Sequence, residues 1–178
     1  PALESVSSLR NAAGALPGSL RIEHADKLAT LHGLEGITSI GDDTDGQGIV
    51  LSSVPALESV SGLLHTLGQS ISLNSVPALE SLFGLRNVAG ALPGGIQISS
   101  AGMLASLGEL RAHCRAGSLI IEFVDGLVSL DGLEGIGLEG ITAIRSIYLR
   151  SVPALESLSG LRNVAGALQG SLYSHRQG

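Results

Sequence analysis

The sequence is poor in large and reactive side chains. Its 178 residues include two Phe, two Tyr, no Trp, one Met and a single cysteine, Cys114. One cysteine excludes an internal disulfide framework. Because aromatic rings are so few, a core of this size has to be filled by aliphatic side chains in a regular arrangement. These absences disfavour an ordinary globular enzyme and indicate a repetitive architecture.

Charge and long apolar runs are also scarce. The chain has 10 Lys and Arg against 16 Asp and Glu, a net charge of −6, and only 15% charged residues. The basic residues are scattered, which argues against nucleic acid as a partner. No apolar run approaches the roughly 20 residues of a membrane-spanning helix, so we expect no membrane insertion by this segment. The hydrophobic share of 44% is too high for a disordered chain.

Leu, Gly and Ser are abundant, and they recur in register. The motif Pro-Ala-Leu-Glu-Ser begins at Pro1, Pro55, Pro77 and Pro153, and residues 77–96 and 153–172 agree at 16 of 20 positions. Repeat units start near positions 1, 27, 55, 77, 103, 126 and 153 and are 22–28 residues long. Variable length with constant core positions is typical of a solenoid, in which the core positions stack and the loops vary.

Each unit has the same sequence of apolar positions. Three of them lie three residues apart, as Leu28, Leu31 and Leu34 do, and two more lie two residues apart, as Ile49 and Leu51 do. A spacing of two marks a strand, and a spacing of three marks a return segment too short for an α-helix. A Ser or Thr precedes the second position in every unit, and we expect its hydroxyl to bond backbone at a bend: Ser5, Thr30, Ser59, Ser81, Ser106, Ser129 and Ser157. Gly precedes the third position in five units, where we expect close packing.

The sequence therefore predicts a mainly β, single-stack β-solenoid of about seven coils with short 3₁₀ or irregular return segments. We expect residues 1–178 to form one repeat domain that is a fragment of a longer chain or lacks its caps. At least its N-terminal end should then be covered by more of the same chain or by another subunit.

Residues 67–79 approximate the pattern L-x-x-L-x-L-x-x-N/C-x-L, and the whole chain resembles leucine-rich-repeat solenoids of the receptor L-domain type. Such solenoids occur in growth-factor receptor ectodomains and in fungal GPI-anchored cell-wall proteins. The resemblance implies a non-enzymatic structural or recognition role and an extracellular or cell-surface location, with an organelle as the alternative. The chain departs from the pattern at one position in each of six units. Where leucine-rich repeats have a column of hydrogen-bonded Asn residues, the Asn ladder, this chain has Ala or Val, so we expect apolar packing there: Ala25, Val54, Val76, Ala101, Val124 and Val152.

The outward positions of the strands are the first candidate site, because stacked strands form the ligand surface of a solenoid. Toward the C-terminal coils these positions become apolar and aromatic, which favours an interface with a protein. The candidate interaction face consists of Ile120, Glu122, Phe123, Tyr148, Arg150 and Tyr173. The alternative is a glycan-binding face on which a sugar stacks on Tyr148 and Tyr173.

Other motifs are weaker. Asp43-x-Asp45-Gly46, in the loop 41–48, overlaps a calcium-loop pattern, but the first ligand position is Gly41 and the distal Glu position is Ser52. An acidic turn is the favoured interpretation.

One residue of the pair His113-Cys114 should pack inward, and the other four His lie at different coil positions, so no metal site is predicted. The tandem Gly-Leu-Glu-Gly-Ile at 132–141 predicts a bulged corner. No catalytic motif is present, and we predict no catalytic residue and no cofactor.

Overall fold

The computed structural model describes residues 3–63, 70–85, 90–92, 94–108, 110, 114–131, 133, 146–161 and 172–175. Its strands are β1 (Gly14–Leu16), β2 (Leu20–Glu23), β3 (Ile37–Ile40), β4 (Ile49–Ser52), β5 (Ser70–Asn74), β6 (Gly90–Leu92), β7 (Gly95–Ser99), β8 (Cys114–Ala116), β9 (Ser118–Glu122), β10 (Ser146–Arg150) and β11 (Leu172–His175). Short 3₁₀ turns cover Ser7–Leu9, Ser61–Leu63, Phe83–Leu85 and Ser159–Leu161. Within the described residues, no helix is both long and apolar enough to cross a membrane.

The main sheet is parallel and stacks coil upon coil. Its seven strands lie in the order β2-β4-β5-β7-β9-β10-β11, which is also their order in the chain. Two smaller parallel sheets, β1-β3 and β6-β8, lie outside it. A parallel sheet whose strands follow chain order, with the chain returning between them, is a β-solenoid. The predicted fold class, a mainly β solenoid whose only helical segments among the described residues are short 3₁₀ turns, is confirmed.

The predicted core positions stack in the predicted register. Across the main sheet Ile49 pairs with Ile71 and Leu51 with Leu73, and the same backbone register continues from β2 to β11. The first-position Leu side chains of the inner coils are fully buried: Leu28, Leu57, Leu79, Leu104 and Leu127. Leu3, Leu9 and Leu158, which belong to the outermost described coils, are exposed. Burying each inner Leu contributes about 1.5–3 kcal/mol, so the stacked aliphatic columns supply the main stabilisation of this fold.

The Ala and Val residues at the position of the Asn ladder pack into the core. Ala25, Val54, Val76, Ala101 and Val124 are all at most 2% exposed. The apolar packing predicted from the sequence is confirmed at these five residues, and the sixth, Val152, is half-buried and packs against the core.

The Ser column forms a repeated turn. In six coils the column hydroxyl accepts a hydrogen bond from the backbone N–H two residues later, at 2.9–3.1 Å: Ser5, Ser59, Ser81, Ser106, Ser129 and Ser157. Isolated parallel bridges join Thr30 to Ser59, Ser59 to Ser81, Ser106 to Ser129 and Ser129 to Ser157. The hydroxyl satisfies an N–H that a helix or sheet would otherwise bond. The predicted bond between hydroxyl and backbone is therefore confirmed at these six Ser residues.

The Gly that precedes the third core position lies against the backbone of the preceding coil. A Cβ at Gly62 or Gly84 would overlap the carbonyl oxygen of Leu31 or Val60, and a Cβ at Gly160 would overlap that of Leu130. Only hydrogen fits between such coils, so the predicted close packing is confirmed at these positions.

The six strands of the main sheet from β2 to β10 are each followed by a residue in the left-handed conformation. Its φ lies between 50° and 55° at His24, Ser53, Ser75, Ser100, Phe123 and Ser151. This conformation costs an L-residue about 1–2 kcal/mol, and it turns the chain away from the sheet at the same point in every coil. The backbone N–H of this residue donates to the next coil, for example from Ser53 to the Asn74 carbonyl at 3.0 Å and from Phe123 to the Arg150 carbonyl at 2.9 Å.

Candidate functional site

The predicted outward row exists as a continuous row across the main sheet. The strand register aligns Arg21, Val50, Ser72, Gln97, Ile120, Tyr148 and Tyr173. The side chains of Ser72, Gln97, Ile120 and Tyr148 are half-buried, and that of Arg21 is exposed. Val50 differs from the expectation because it is buried. The loop 41–48 accounts for this burial.

The loop 41–48 is a tight turn built around Asp43. The Asp43 Oδ1 atom accepts hydrogen bonds from the backbone N–H groups of Gln47, at 2.9 Å, and Asp45, at 3.0 Å. The Gly46 N–H donates to the Asp43 carbonyl at 3.1 Å, and Gly46 has a φ of 73° that suits glycine. The pKa of the Asp43 carboxyl lies below its ordinary value. The hydrogen bond from the Gln47 N–H lowers this pKa most, partial desolvation opposes the effect, and the bond from the Arg21 guanidinium lowers the pKa further.

Two side chains on the sheet hold this loop from opposite sides of β4. The Arg21 Nη2 atom lies 3.0 Å from Asp43 Oδ2 and donates to Gln47 Oε1 at 3.2 Å. On β5, the Ser70 hydroxyl donates to the Gly46 carbonyl at 3.2 Å and accepts from the Gly48 N–H at 3.0 Å. The loop therefore crosses the outer face of β4, and this explains why Val50 is covered. Hydrogen bonds to the carboxylates of Asp43 and Glu23 raise the pKa of the Arg21 guanidinium, and the bond to Asp43 has the larger effect.

Asp43 uses its carboxylate to build the loop. Both of its oxygens already have partners, Oδ1 in two backbone N–H groups and Oδ2 in Arg21. Among the described residues, no group of three or more His, Cys, Asp or Glu side chains is placed to hold a metal ion. The Asp43-x-Asp45-Gly46 motif is a structural turn, which agrees with the favoured interpretation of the sequence.

The loop forms one wall of a groove on the outer face of the sheet. The groove has a volume of about 250 Å³ and is lined by Asp45, Gly46, Gln47, Ser70, Ile71, Ser72, Gly94, Ile96, Gln97, Ser118 and Ile120. Hydroxyl, amide and carboxylate groups predominate, and Ile120 closes the end that faces the C-terminal coils. Sites for drug-sized ligands occupy about 300–1,000 Å³, so this groove suits a smaller group.

The C-terminal end of the face brings Glu122, Phe123 and Arg150 together. The Arg150 Cζ atom lies 5.2 Å from the centroid of the Phe123 ring, and Arg150 Nη1 lies 3.7 Å from Glu122 Oε1. The left-handed backbone at Phe123 turns its ring outward, where 41% of the residue is exposed. A guanidinium over an aromatic ring contributes about 0.5–1 kcal/mol at an exposed site. Arg150 is thereby held between a carboxylate and a ring.

The aromatic row continues beside this group. Tyr148 pairs with Ile120 on one side and, through the backbone, with Tyr173 on the other. The side chain of Tyr173 lies outside the described part of the structure, as do His113, the Cys114 side chain, and positions 132 and 134–141 of the tandem repeat. Five of the six residues of the candidate interaction face therefore lie on one surface. Ile120 also lines the groove, so the groove and the face form a continuous site.

The sequence did not reveal the groove. Its wall depends on contacts between residues more than 20 positions apart, such as Arg21 with Asp43 and Ser70 with Gly46. The only signal was the length of the loop 41–48 and its departure from the repeat. A long loop within a regular solenoid is a reason to expect function there.

No protein-family model, no curated protein and no solved structure matches this chain. Function is therefore inferred from the chemistry of the site.

Proposed function

We propose that this chain is a non-enzymatic recognition module of the receptor L-domain-like type that binds a protein partner through the outer face of its main sheet. The module is a scaffold segment of a larger assembly. The supporting observation is the grouping of Ile120, Phe123, Tyr148 and Arg150 on one rigid sheet. Tyr, Phe and Arg are enriched at the centres of protein interfaces, and an ion-paired Arg over a ring is already ordered before binding.

The rest of the face suits this role. The backbone of β9 and β10 is paired on both sides, so the surface changes little when a partner docks. Phe123 extends the apolar row to the corner of the solenoid, and Glu122 with Arg150 supplies polar groups at its rim. A partner with an apolar centre and complementary charges would fit this arrangement.

The test introduces residues that other coils of this chain already have at the equivalent positions. Ser occupies the Phe123 position in four other coils and the Tyr148 position at Ser72, so Phe123→Ser with Tyr148→Ser should preserve folding. The immobilised wild-type chain and this double variant are each incubated with an extract of the native source. Asn74→Ser, in the neighbouring row of β5, is the matched control.

We expect a partner that the wild type and the Asn74→Ser variant retain and the double variant loses by about ten-fold or more. The far-ultraviolet circular dichroism of all three proteins should agree. If the same proteins bind equally well to the folded double variant, this face is not the recognition surface.

A second candidate function is glycan binding, which the polar groove supports. Ser72 and Gln97 offer a hydroxyl and an amide on the sheet, and Asp45 offers a carboxylate from the loop. These groups are suited to the hydroxyls of a single sugar ring, with Tyr148 beyond Ile120 as a stacking surface. A glycan array distinguishes the two functions: glycan binding requires a saccharide whose signal falls in a Gln97→Ala variant, whereas protein recognition predicts no bound saccharide.

A further inference from the structure

The solenoid has a second outer face, formed by the segments that carry the Ser column. This second face comprises residues 55–59, 77–81, 102–106, 125–129 and 153–157, joined by backbone bonds between coils. The Glu80 N–H donates to the Glu58 carbonyl at 3.2 Å, and the Glu156 N–H donates to the Val128 carbonyl at 3.1 Å. It lies outside the main sheet, and the proposed recognition face is not part of it.

One column of this face contains both acidic and apolar residues. Over all seven repeat units, of which the first two lie outside the second face, the position after the first core Leu holds Glu4, Ala29, Glu58, Glu80, Ala105, Val128 and Glu156. Four units therefore place a carboxylate where two consecutive units place Ala105 and Val128. The Val128 N–H donates to the Ala105 carbonyl at 3.0 Å, so the two residues are neighbours across the coils.

Met103 enlarges this interruption into an apolar patch. Met103 and Ala105 flank the buried Leu104, so both lie on the outer side, and 57% of Met103 is exposed. Val128 is 42% exposed and Ala105 is also exposed. Single exposed apolar residues need no explanation, but a flexible thioether beside two further apolar groups at the surface is a feature of binding sites. We call Met103, Ala105 and Val128 the apolar patch.

Carboxylates surround the apolar patch. Glu80 and Glu156 occupy the same column in the coils before and after it, and Asp125 lies in the segment of Val128; all three are exposed. The five segments of the second face contain no Lys or Arg. In these segments no cation is present to neutralise the rim, and its charge has the same sign as the net charge of −6.

We propose that the apolar patch and its acidic rim form a second docking surface, and that its occupant is a protein segment with apolar side chains flanked by Lys or Arg. Burial of Met103 and Val128 supplies the attraction at the centre, and cations pair with the surrounding carboxylates. An anionic lipid surface or an acidic peptide would be repelled by the same rim. The inference does not depend on the proposed function of the main sheet.

The test uses substitutions found elsewhere in the same columns. Met103→Ala introduces the amino acid that other coils have at this position, as Ala56, Ala78 and Ala154. Val128→Glu likewise introduces the amino acid found at Glu58 and Glu80, so the double variant should fold. Ala29→Glu adds the same charge to the same column away from the patch and is the matched control. The probe is a short fluorescent peptide of alternating Lys and Leu, with one comparison peptide in which Glu replaces Lys and another in which Ser replaces Leu. Fluorescence anisotropy measures binding.

We expect the Lys-Leu peptide to bind the wild type and the Ala29→Glu variant alike, and to bind the double variant at least about ten-fold more weakly. The Glu-Leu peptide should not bind, and the Lys-Ser peptide should bind at least about ten-fold more weakly than the Lys-Leu peptide. Undiminished binding to the double variant would overturn the proposal, as would equal binding of the Lys-Ser peptide. Absence of Lys-Leu binding to the wild type would overturn it too. The Phe123→Ser, Tyr148→Ser variant should bind the peptide normally, and a loss there would assign the contact to the main sheet instead.

Discussion

Gly84→Ala should destabilise the solenoid by forcing two coils apart. Gly84 lies in the 3₁₀ turn Phe83–Leu85, and an added Cβ would overlap the Val60 carbonyl oxygen and lie 2.9 Å from the Ser61 Cα atom. Both atoms belong to backbone, so no side-chain rotation relieves the contact. Gly84 does not have a positive φ, so alanine has no conformational penalty of its own there.

The magnitude follows from two opposing effects. Overpacking a well-packed site costs about 1–3 kcal/mol. Replacing glycine by alanine restricts the unfolded chain and returns about 0.4–1 kcal/mol where the native backbone permits it. We therefore expect a net loss of about 1–2 kcal/mol, since the overpacking cost is larger. For a chain of this length each 1 kcal/mol lowers the Tm by about 2–4 °C.

Urea unfolding followed by circular dichroism measures this loss, because the chain has no Trp for fluorescence. Gly102→Ala is the matched control: a Cβ there has no heavy atom within 4 Å, and Gly102 does not have a positive φ. We expect the Gly102→Ala variant to be as stable as the wild type or slightly more stable. Equal stability of the Gly84→Ala and Gly102→Ala variants would refute the idea that contact between coil backbones requires glycine.

Three further perturbations test other parts of the fold. Ser59→Ala removes the acceptor for the Ser61 N–H and should cost about 1 kcal/mol in urea unfolding, whereas Ser59→Thr should restore it; equal losses would contradict the role of the hydroxyl. Ser53→Gly should raise the unfolding free energy by about 0.5 kcal/mol, because glycine accepts the left-handed backbone, and Ser53→Ala should give no such gain. Because the pKa of Asp43 is lowered in the fold, its contribution is complete above about pH 5 and is lost as the pH falls below about 4. The protection factor of the Gln47 amide, its exchange rate relative to the intrinsic rate at the same pH, should fall in that range, and Asp43→Asn should abolish this pH dependence.

The fold was predictable because its core positions are periodic. Leu in the first and third positions and Ser in the bend column gave the register without any long-range information. The pairing of Ile49 with Ile71 and of Ile120 with Tyr148 followed from that register. In a solenoid each coil contacts only its neighbours, so a local sequence pattern is enough to predict the tertiary pairing.

The candidate site was predictable only where it follows the same periodicity. Ile120 and Tyr148 belong to a strand row, and their adjacency was expected. The contact of Arg21 with Asp43 depends on how an irregular loop folds back over β4, which no repeat predicts. The left-handed residues were also hidden, because Ser and Phe at these positions give no signal of the kind that Gly or Asn would give.

The row of left-handed residues has a consequence for how this surface can diversify. Backbone bonds hold the described turns after β2, β4 and β9 alike, although their turn residues are His24, Ser53 and Phe123, so this position accepts side chains of different size and polarity. Successive side chains in this column stand about 4.8 Å apart, the spacing of neighbouring strands. The corner of the solenoid thus presents an evenly spaced column of side chains, and a substitution in one coil can change the chemistry of this surface without changing the backbone.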